Sequence, residues 1–175
     1  VKADDKTYYC LSNFKIGCAC TGSEFAQGAT KDLIKKHYNS LTLGNELKPD
    51  SVLDQVLSQK YVAETGDDTM PQISLNEADK ILKFAGENKI PVRGHVLVWH
   101  SQTPDWFFKE NFDPNGAWVS KDKMTKRLEN YIKTVMETLA KDYPDVEFYA
   151  WDVVNEAASD AGTIRDAGSN NEVNG

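Results

Sequence analysis

Near the end of this 175-residue chain, Trp151-Asp152-Val153-Val154-Asn155-Glu156 runs from apolar and β-branched side chains into an amide beside a carboxylate. That is the pattern of a buried strand delivering an acid at its tip. In barrels of parallel strands the chemistry collects at the C-terminal strand ends, so Glu156 reads as a proton-transfer group rather than scaffold. A second cluster follows the same logic. Pro91-Val92-Arg93-Gly94-His95-Val96-Leu97-Val98-Trp99 is apolar enough for burial on both faces. Arg93, His95 and Trp99 share strand parity, so all three should point into the interior. Asp152 is a tempting second carboxylate beside Glu156. Four residues of strand separate them by about 13 Å, however, so Asp152 is expected to pair with Arg93 or His95, because a buried charge needs a partner.

These residues need elements to hold them, and the periodicity supplies an alternating series. Phe14 to Cys20 reads as a strand ending at Thr21-Gly22, and Thr30 to Asn39 as an amphipathic helix with Leu33, Ile34, His37 and Tyr38 on one side. Leu41 to Leu47 is a second strand, closed by Lys48-Pro49-Asp50, where proline forbids further pairing and a long connection begins. A helix opening at Asn76 and running through Ile81, Leu82, Phe84 and Ala85 leads into the third strand. Ser120 to Tyr143 is the longest helix, with Leu128, Tyr131, Ile132, Val135, Met136 and Leu139 on one stripe. Pro144 ends it, and Glu147 to Val154 is the fourth strand. The order βαβαβαβ implies parallel strands joined by right-handed crossovers.

A doubly wound open sheet and a closed eightfold barrel both fit that order. No Gly-x-Gly-x-x-Gly follows the first strand, where a dinucleotide-binding sheet places its phosphate cradle, so no nucleotide cofactor is expected. Polar residues instead stand at the ends of strands two, three and four, as expected when several strand tips share one pocket. The barrel is favoured, and four strands make half of it.

Composition narrows the partners. With 27 acidic residues against 20 basic ones, a net charge of −7 and no basic stripe, the chain is a poor match for nucleic acid and suits a neutral substrate. No block is long and apolar enough to cross a membrane. Cys10, Cys18 and Cys20 are neither an even disulfide framework nor a zinc pattern; Cys18 and Cys20 should share one face of a strand as small core residues, and no metal is expected. The chain opens Val1-Lys2-Ala3-Asp4 without an apolar targeting segment, as a processed or trimmed protein does, and Gly168 to Gly175 is a low-complexity tail.

The block Gly94-His95-Val96-Leu97-Val98-Trp99-His100-Ser101-Gln102-Thr103-Pro104-Asp105-Trp106-Phe107, together with Trp151 to Ala157, closely resembles the third- and fourth-strand signatures of glycoside hydrolase family 10, the endo-β-1,4-xylanases. Gly44-Asn45-Glu46-Leu47-Lys48 is similar to that family's second-strand motif, and Phe14-Lys15-Ile16-Gly17-Cys18-Ala19 to its first. The resemblance implies a retaining glycosidase on a (β/α)8 TIM barrel, with residues 1–175 as the N-terminal half, about four β-α units, of the catalytic domain. It places Glu156 in the acid/base position and Asn155 beside the hydroxyl next to the reacting carbon. It makes His95, Trp99 and Gln102 sugar contacts, and puts Asn45 and Lys48 on the non-reducing side of the cleavage point. Where the family usually carries a glutamate before that asparagine, this chain has Gly44, which removes one hydrogen-bonding group.

The chemistry agrees with the assignment. A glycosidic oxygen is a poor leaving group; one carboxylic acid must protonate it while a second carboxylate attacks the sugar from about 5 Å away. Such an acid needs an apolar, aromatic-lined pocket, for which Trp99 and Trp151 are the candidates, with the helix side as the alternative place for Trp151. In the family the nucleophile is a glutamate near the end of the seventh strand, and nothing in this chain corresponds to it. The chain alone is therefore expected to be inactive by the retaining route and to expose two unpaired strand edges. The expected partners are xylan or xylo-oligosaccharide and the C-terminal half of the same barrel, in the same gene product or a second chain. The alternatives are a non-catalytic carbohydrate-binding half barrel and a fragment that self-assembles. Because polymeric xylan is too large to enter a cell, secretion is the functional expectation.

Overall fold

The computed structural model describes residues 7–165, so the opening Val1 to Asp4 and the tail from Gly168 lie outside the described residues. Strands β1 (Gly17–Cys20), β2 (Ser40–Leu43), β3 (Val92–Trp99) and β4 (Phe148–Asn155) lie side by side in that order, each parallel to its neighbour. The single turn α1 (Gly22–Phe25) and helix α2 (Gly28–His37) join β1 to β2. The β2–β3 connection carries α3 (Pro49–Val52), α4 (Gln55–Thr65) and α5 (Asp79–Glu87), and α6 (Lys121–Asp142) returns from β3 to β4. This is the α/β alternation expected from the hydrophobic pattern.

Burial explains the sheet order. In β2, Ser40, Leu41 and Leu43 are all shielded from water, and in β3 so are Val92, Gly94, Val96 and Leu97, the mark of central strands covered on both faces. Ile34 of α2, Ile81, Leu82 and Ala85 of α5, and Tyr131, Val135 and Leu139 of α6 pack on the helix side of these strands. Each large side chain so covered contributes about 1.5–3 kcal/mol relative to exposure. The outer strands are less shielded: Val153 and Val154 of β4 are 55% and 54% exposed.

Three expectations are corrected. Leu33 does not join the apolar face of α2; it is half exposed, and His37 stacks on the ring of Tyr8 instead. The second strand stops at Leu43, and Glu46, Leu47 and Lys48 follow it as a buried turn. The long connection after Pro49 contains the 11-residue helix α4, which buries only Ser58. With no apolar stripe to announce it, α4 is defined by its ends: Asp54 accepts from Leu57 N at 2.9 Å, and Gly66 closes it in the left-handed conformation. Cys20 is buried and Cys18 half-buried against the core; burial pushes both thiols up, that of Cys20 to about 12 with help from Cys18, Glu46 and Glu24.

Trp151 also takes the helix side. Its ring stacks on Phe148 at 5.3 Å and packs against the core, and a Cβ on Gly94 would lie 2.3 Å from it. Gly94 is thus required by a close approach, and Trp151 does not line the interior. The register slips between Val92 and Arg93, where Phe148 and then Ala150 are the partners, which resets the parity of β4.

Candidate active site

The inner face of the sheet carries polar side chains in three layers. At the N-terminal end of the strands, Ser40 Oγ and Tyr149 OH lie 2.8 Å apart, with the Lys15 ammonium 4.8 Å above the tyrosine ring. In the middle, Asp152 receives Arg93 through Nε at 3.0 Å and through its second guanidinium nitrogen, while His95 Nδ1 lies 3.0 Å from the other carboxylate oxygen. Burial pushes the Asp152 carboxyl up, and the bonds from Arg93 and His95 more than reverse this, holding it below the ordinary value of 3.8. Those bonds also hold the Arg93 guanidinium above its usual range. Asp152 therefore pairs with both of its expected partners.

The third layer lies at the C-terminal strand ends and brings four elements together. Trp99, the last residue of β3, donates from Nε1 to Glu156 Oε2 at 2.8 Å. The Lys48 ammonium sits 5.0 Å from the centre of the Trp99 ring and donates to Asn45 Oδ1 at 2.8 Å and to Gln102 Oε1 at 2.6 Å. Gln102 is fixed in turn: its Nε2 donates to Asp50 Oδ2 at 3.3 Å and its carbonyl accepts from Asp50 N at 3.0 Å. Asn45, Lys48, Gln102, Trp99 and Glu156 are thus one continuous constellation. His95 lies a layer below it, tied to Asp152. Asn155 is level with Trp99 in the backbone register, and its half-buried side chain makes no hydrogen bond among the described residues.

Two residues at this rim hold backbones that side chains seldom tolerate. Glu156 has φ 51° and Gln102 φ 48°. Left-handed conformations of this kind cost about 1–2 kcal/mol for residues with a Cβ and concentrate at functional positions. Glu156 is kept there by its loop: its carbonyl accepts from Arg165 Nε at 3.3 Å, Ala157 accepts from Arg165 N at 2.9 Å, and Ala158 bridges to Ile164. Its side chain is 54% exposed.

The geometry adds residues that the sequence reading passed over. His100 Nε2 lies 3.9 Å from Glu156 Oε2, and its ring meets Trp99 edge-on. Glu46, 7% exposed, accepts from the backbone of Gly22 and of Asn45. Glu46 falls within the expected second strand and its motif, yet its partners are backbone N–H groups that linear order does not reveal, so its role went unassigned. At Gly44, a Cβ would lie 2.9 Å from Thr21 Cγ2 and 3.3 Å from the backbone of Cys20 and Thr21. The methyl of Thr21 fills the place beside Asn45 that a larger residue at 44 would need.

What this constellation can do is hold a carboxyl group at an open rim, next to an indole face and a set of fixed amide and ammonium donors. The profile of Glycosyl hydrolase family 10 matches residues 6–173. A bifunctional endo-1,4-beta-xylanase of Ruminococcus flavefaciens is 48% identical over 161 residues, 91% of this chain and 16% of the relative's length. Endo-1,4-beta-xylanase Y of Acetivibrio thermocellus is 46% identical over 84% of this chain and 13% of its own. The crystallographic structure of an N-terminal endo-1,4-beta-D-xylanase from Clostridium thermocellum, complexed with xylohexaose, superposes with a TM-score of 0.79 at 42% identity, covering 90% of this chain and 31% of that one. The chain therefore spans less than a third of each of these proteins.

Proposed function

The chain belongs to glycosyl hydrolase family 10, and we propose that residues 1–175 are the first four strands of a (β/α)8 catalytic domain that cleaves internal β-1,4-xylosidic bonds of xylan, with Glu156 as general acid/base. The observation that carries this reading is the hydrogen bond from Trp99 Nε1 to Glu156 Oε2 at 2.8 Å, which fixes a carboxyl group beside the Asn45–Lys48–Gln102 cluster.

In this reading the sugar chain lies along the rim. Asn45 and Lys48 hold the hydroxyl groups of the sugar on the non-reducing side, His95 and Gln102 hold the sugar at the cleavage point, and the Trp99 indole offers its apolar surface to ring C–H groups. Glu156 gives its proton to the glycosidic oxygen as the bond to the anomeric carbon breaks. It then takes a proton from the water that releases the sugar, as microscopic reversibility requires. Asn155 donates to the hydroxyl adjacent to the reacting carbon. The attacking carboxylate comes from the second half of the barrel, supplied in the same polypeptide or by a second chain. Asp152 is committed to Arg93 and His95 and plays no part in attack. A polymeric substrate places the work outside the cell, although one solved relative, from Thermoanaerobacterium saccharolyticum, is described as intracellular.

The test is Glu156→Gln with both barrel halves present. Hydrolysis of xylan should fall about 10²–10⁴-fold while xylohexaose binding is retained, and the deficit should shrink on aryl glycosides whose leaving group needs no proton. Retention of wild-type cleavage would remove Glu156 from the mechanism. Binding by the wild type without cleavage would favour a carbohydrate-binding role instead.

A further inference from the structure

Asn45 is exposed and Lys48 is buried, and both lie on the turn after β2, outside any regular element. Their placement therefore depends on what holds that turn. Gly44 N donates to Cys20 O at 2.9 Å, joining the ends of β1 and β2, and Lys48 N donates to Asn45 O at 2.9 Å, closing the turn. Between them Glu46 turns inward. One of its oxygens accepts from Gly22 N, at the first turn after β1, and the other from Asn45 N at 3.0 Å.

We propose that Glu46 is a positioning residue for the sugar-binding end of the site: its carboxylate ties the β1 tip to the backbone of Asn45 and so sets where the Asn45–Lys48 pair meets a sugar. The argument rests on the reading of the site given above. A carboxylate suits the task because both of its oxygens accept. Glutamine has nearly the same shape but turns an NH₂ group toward one of the two N–H donors, so one side of the clamp is lost and a donor is left unpaired.

The experiment compares an aryl β-xyloside, which places one sugar before the bond, with an aryl β-xylobioside, which places two. Glu46→Gln in the complete enzyme should leave kcat/KM on the xyloside within about twofold of wild type and lower it about tenfold on the xylobioside. On an Asn45→Ala background the same change should add less than about twofold, because the two act in series. Equal losses on both substrates, full additivity with Asn45→Ala, or no loss on either would overturn the proposal. A wild type that cleaves neither substrate speaks against the xylanase reading itself. Amide exchange then decides the clamp: in Glu46→Gln, protection should drop at whichever of Gly22 and Asn45 faces the new NH₂ group, and unchanged protection at both would refute it.

Discussion

Lys48 is a lysine that water barely reaches, and its ammonium is divided between Asn45 Oδ1 and Gln102 Oε1 while lying over the Trp99 ring. Replacing it by methionine keeps the stem and deletes the charge. The two oxygens then lose their donor inside a crowded rim, at a cost of about 1–3 kcal/mol. Lys48→Met should lower the melting temperature measurably and weaken xylohexaose binding roughly tenfold in calorimetry. Unchanged binding would show that Lys48 is structural only. At this scale much of the site was legible before any coordinates. Glu156 announced itself because it stands where an apolar strand gives way to polar residues, whereas Trp99 and Gln102 were marked by the family motif that contains them. The roles of Glu46 and His100 did not show, because they follow from neighbours on other strands, which a linear reading does not contain. Trp151 was left between two faces; the register slip in β4 and the missing side chain of Gly94 decide for the helix side.

Among the elements, α6 does more than cross from β3 to β4. Arg127 on its buried face is fully enclosed and donates from Nε to Asp68 O at 2.9 Å and from a terminal nitrogen to Lys109 O, also at 2.9 Å, while stacking on Phe112. Asp68 meets Arg127 at 3.3 Å and Lys123 at 3.1 Å, and Gln55 and Gln59 both donate to Phe112 O at 3.0 Å. The guanidinium therefore ties α6 to the segments after α4 and after β3, and the two glutamines add α4 itself. Arg127→Met leaves Asp68 with half its compensation and the carbonyls of Asp68, Lys109 and Phe107, which also accepts from the guanidinium, short of donors, and should cost about 3–5 kcal/mol in denaturant unfolding. A loss below about 1 kcal/mol would mean that the network relaxes around the gap. Gly94→Ala is the companion test on the strand side, because its methyl has to displace the Trp151 ring; overpacking of this kind costs about 1–3 kcal/mol. The principal strands and the long helices were readable from period alone, since each buries a stripe or a continuous run. Helix α4 was not, because its Val56 and Leu57 face solvent and only its caps mark it.

For the molecule as a whole, acid is the weak side. Asp68, Asp79 and Asp152 are all held below the ordinary value of 3.8; burial opposes this at Asp68 and Asp152, where hydrogen bonds from Asn111 and Lys123 and from Arg93 and His95 outweigh it, and Lys83 and Tyr143 hold Asp79. An unfolded chain binds protons at the ordinary value and the folded chain only lower. Their stabilisation is thus fully present above the unfolded pKa of about 4 and is lost as pH falls through the folded values. The melting temperature should hold near pH 6 and fall steeply below about 4, and Asp152→Asn should flatten part of that slope. An unchanged slope would assign the acid sensitivity to other groups. The sheet also leaves β1 and β4 without an outer neighbour among the described residues, so residues 1–175 alone should associate with rising concentration in sedimentation, and the second barrel half should suppress it. Selection for robustness alone would then act in a revealing direction. Glu156 holds a backbone that glycine adopts freely, and a single base change turns a glutamate codon into a glycine codon. A library sorted only for heat resistance should accumulate Glu156→Gly, enriching proteins that outlast their parent and lack the carboxyl group at the rim.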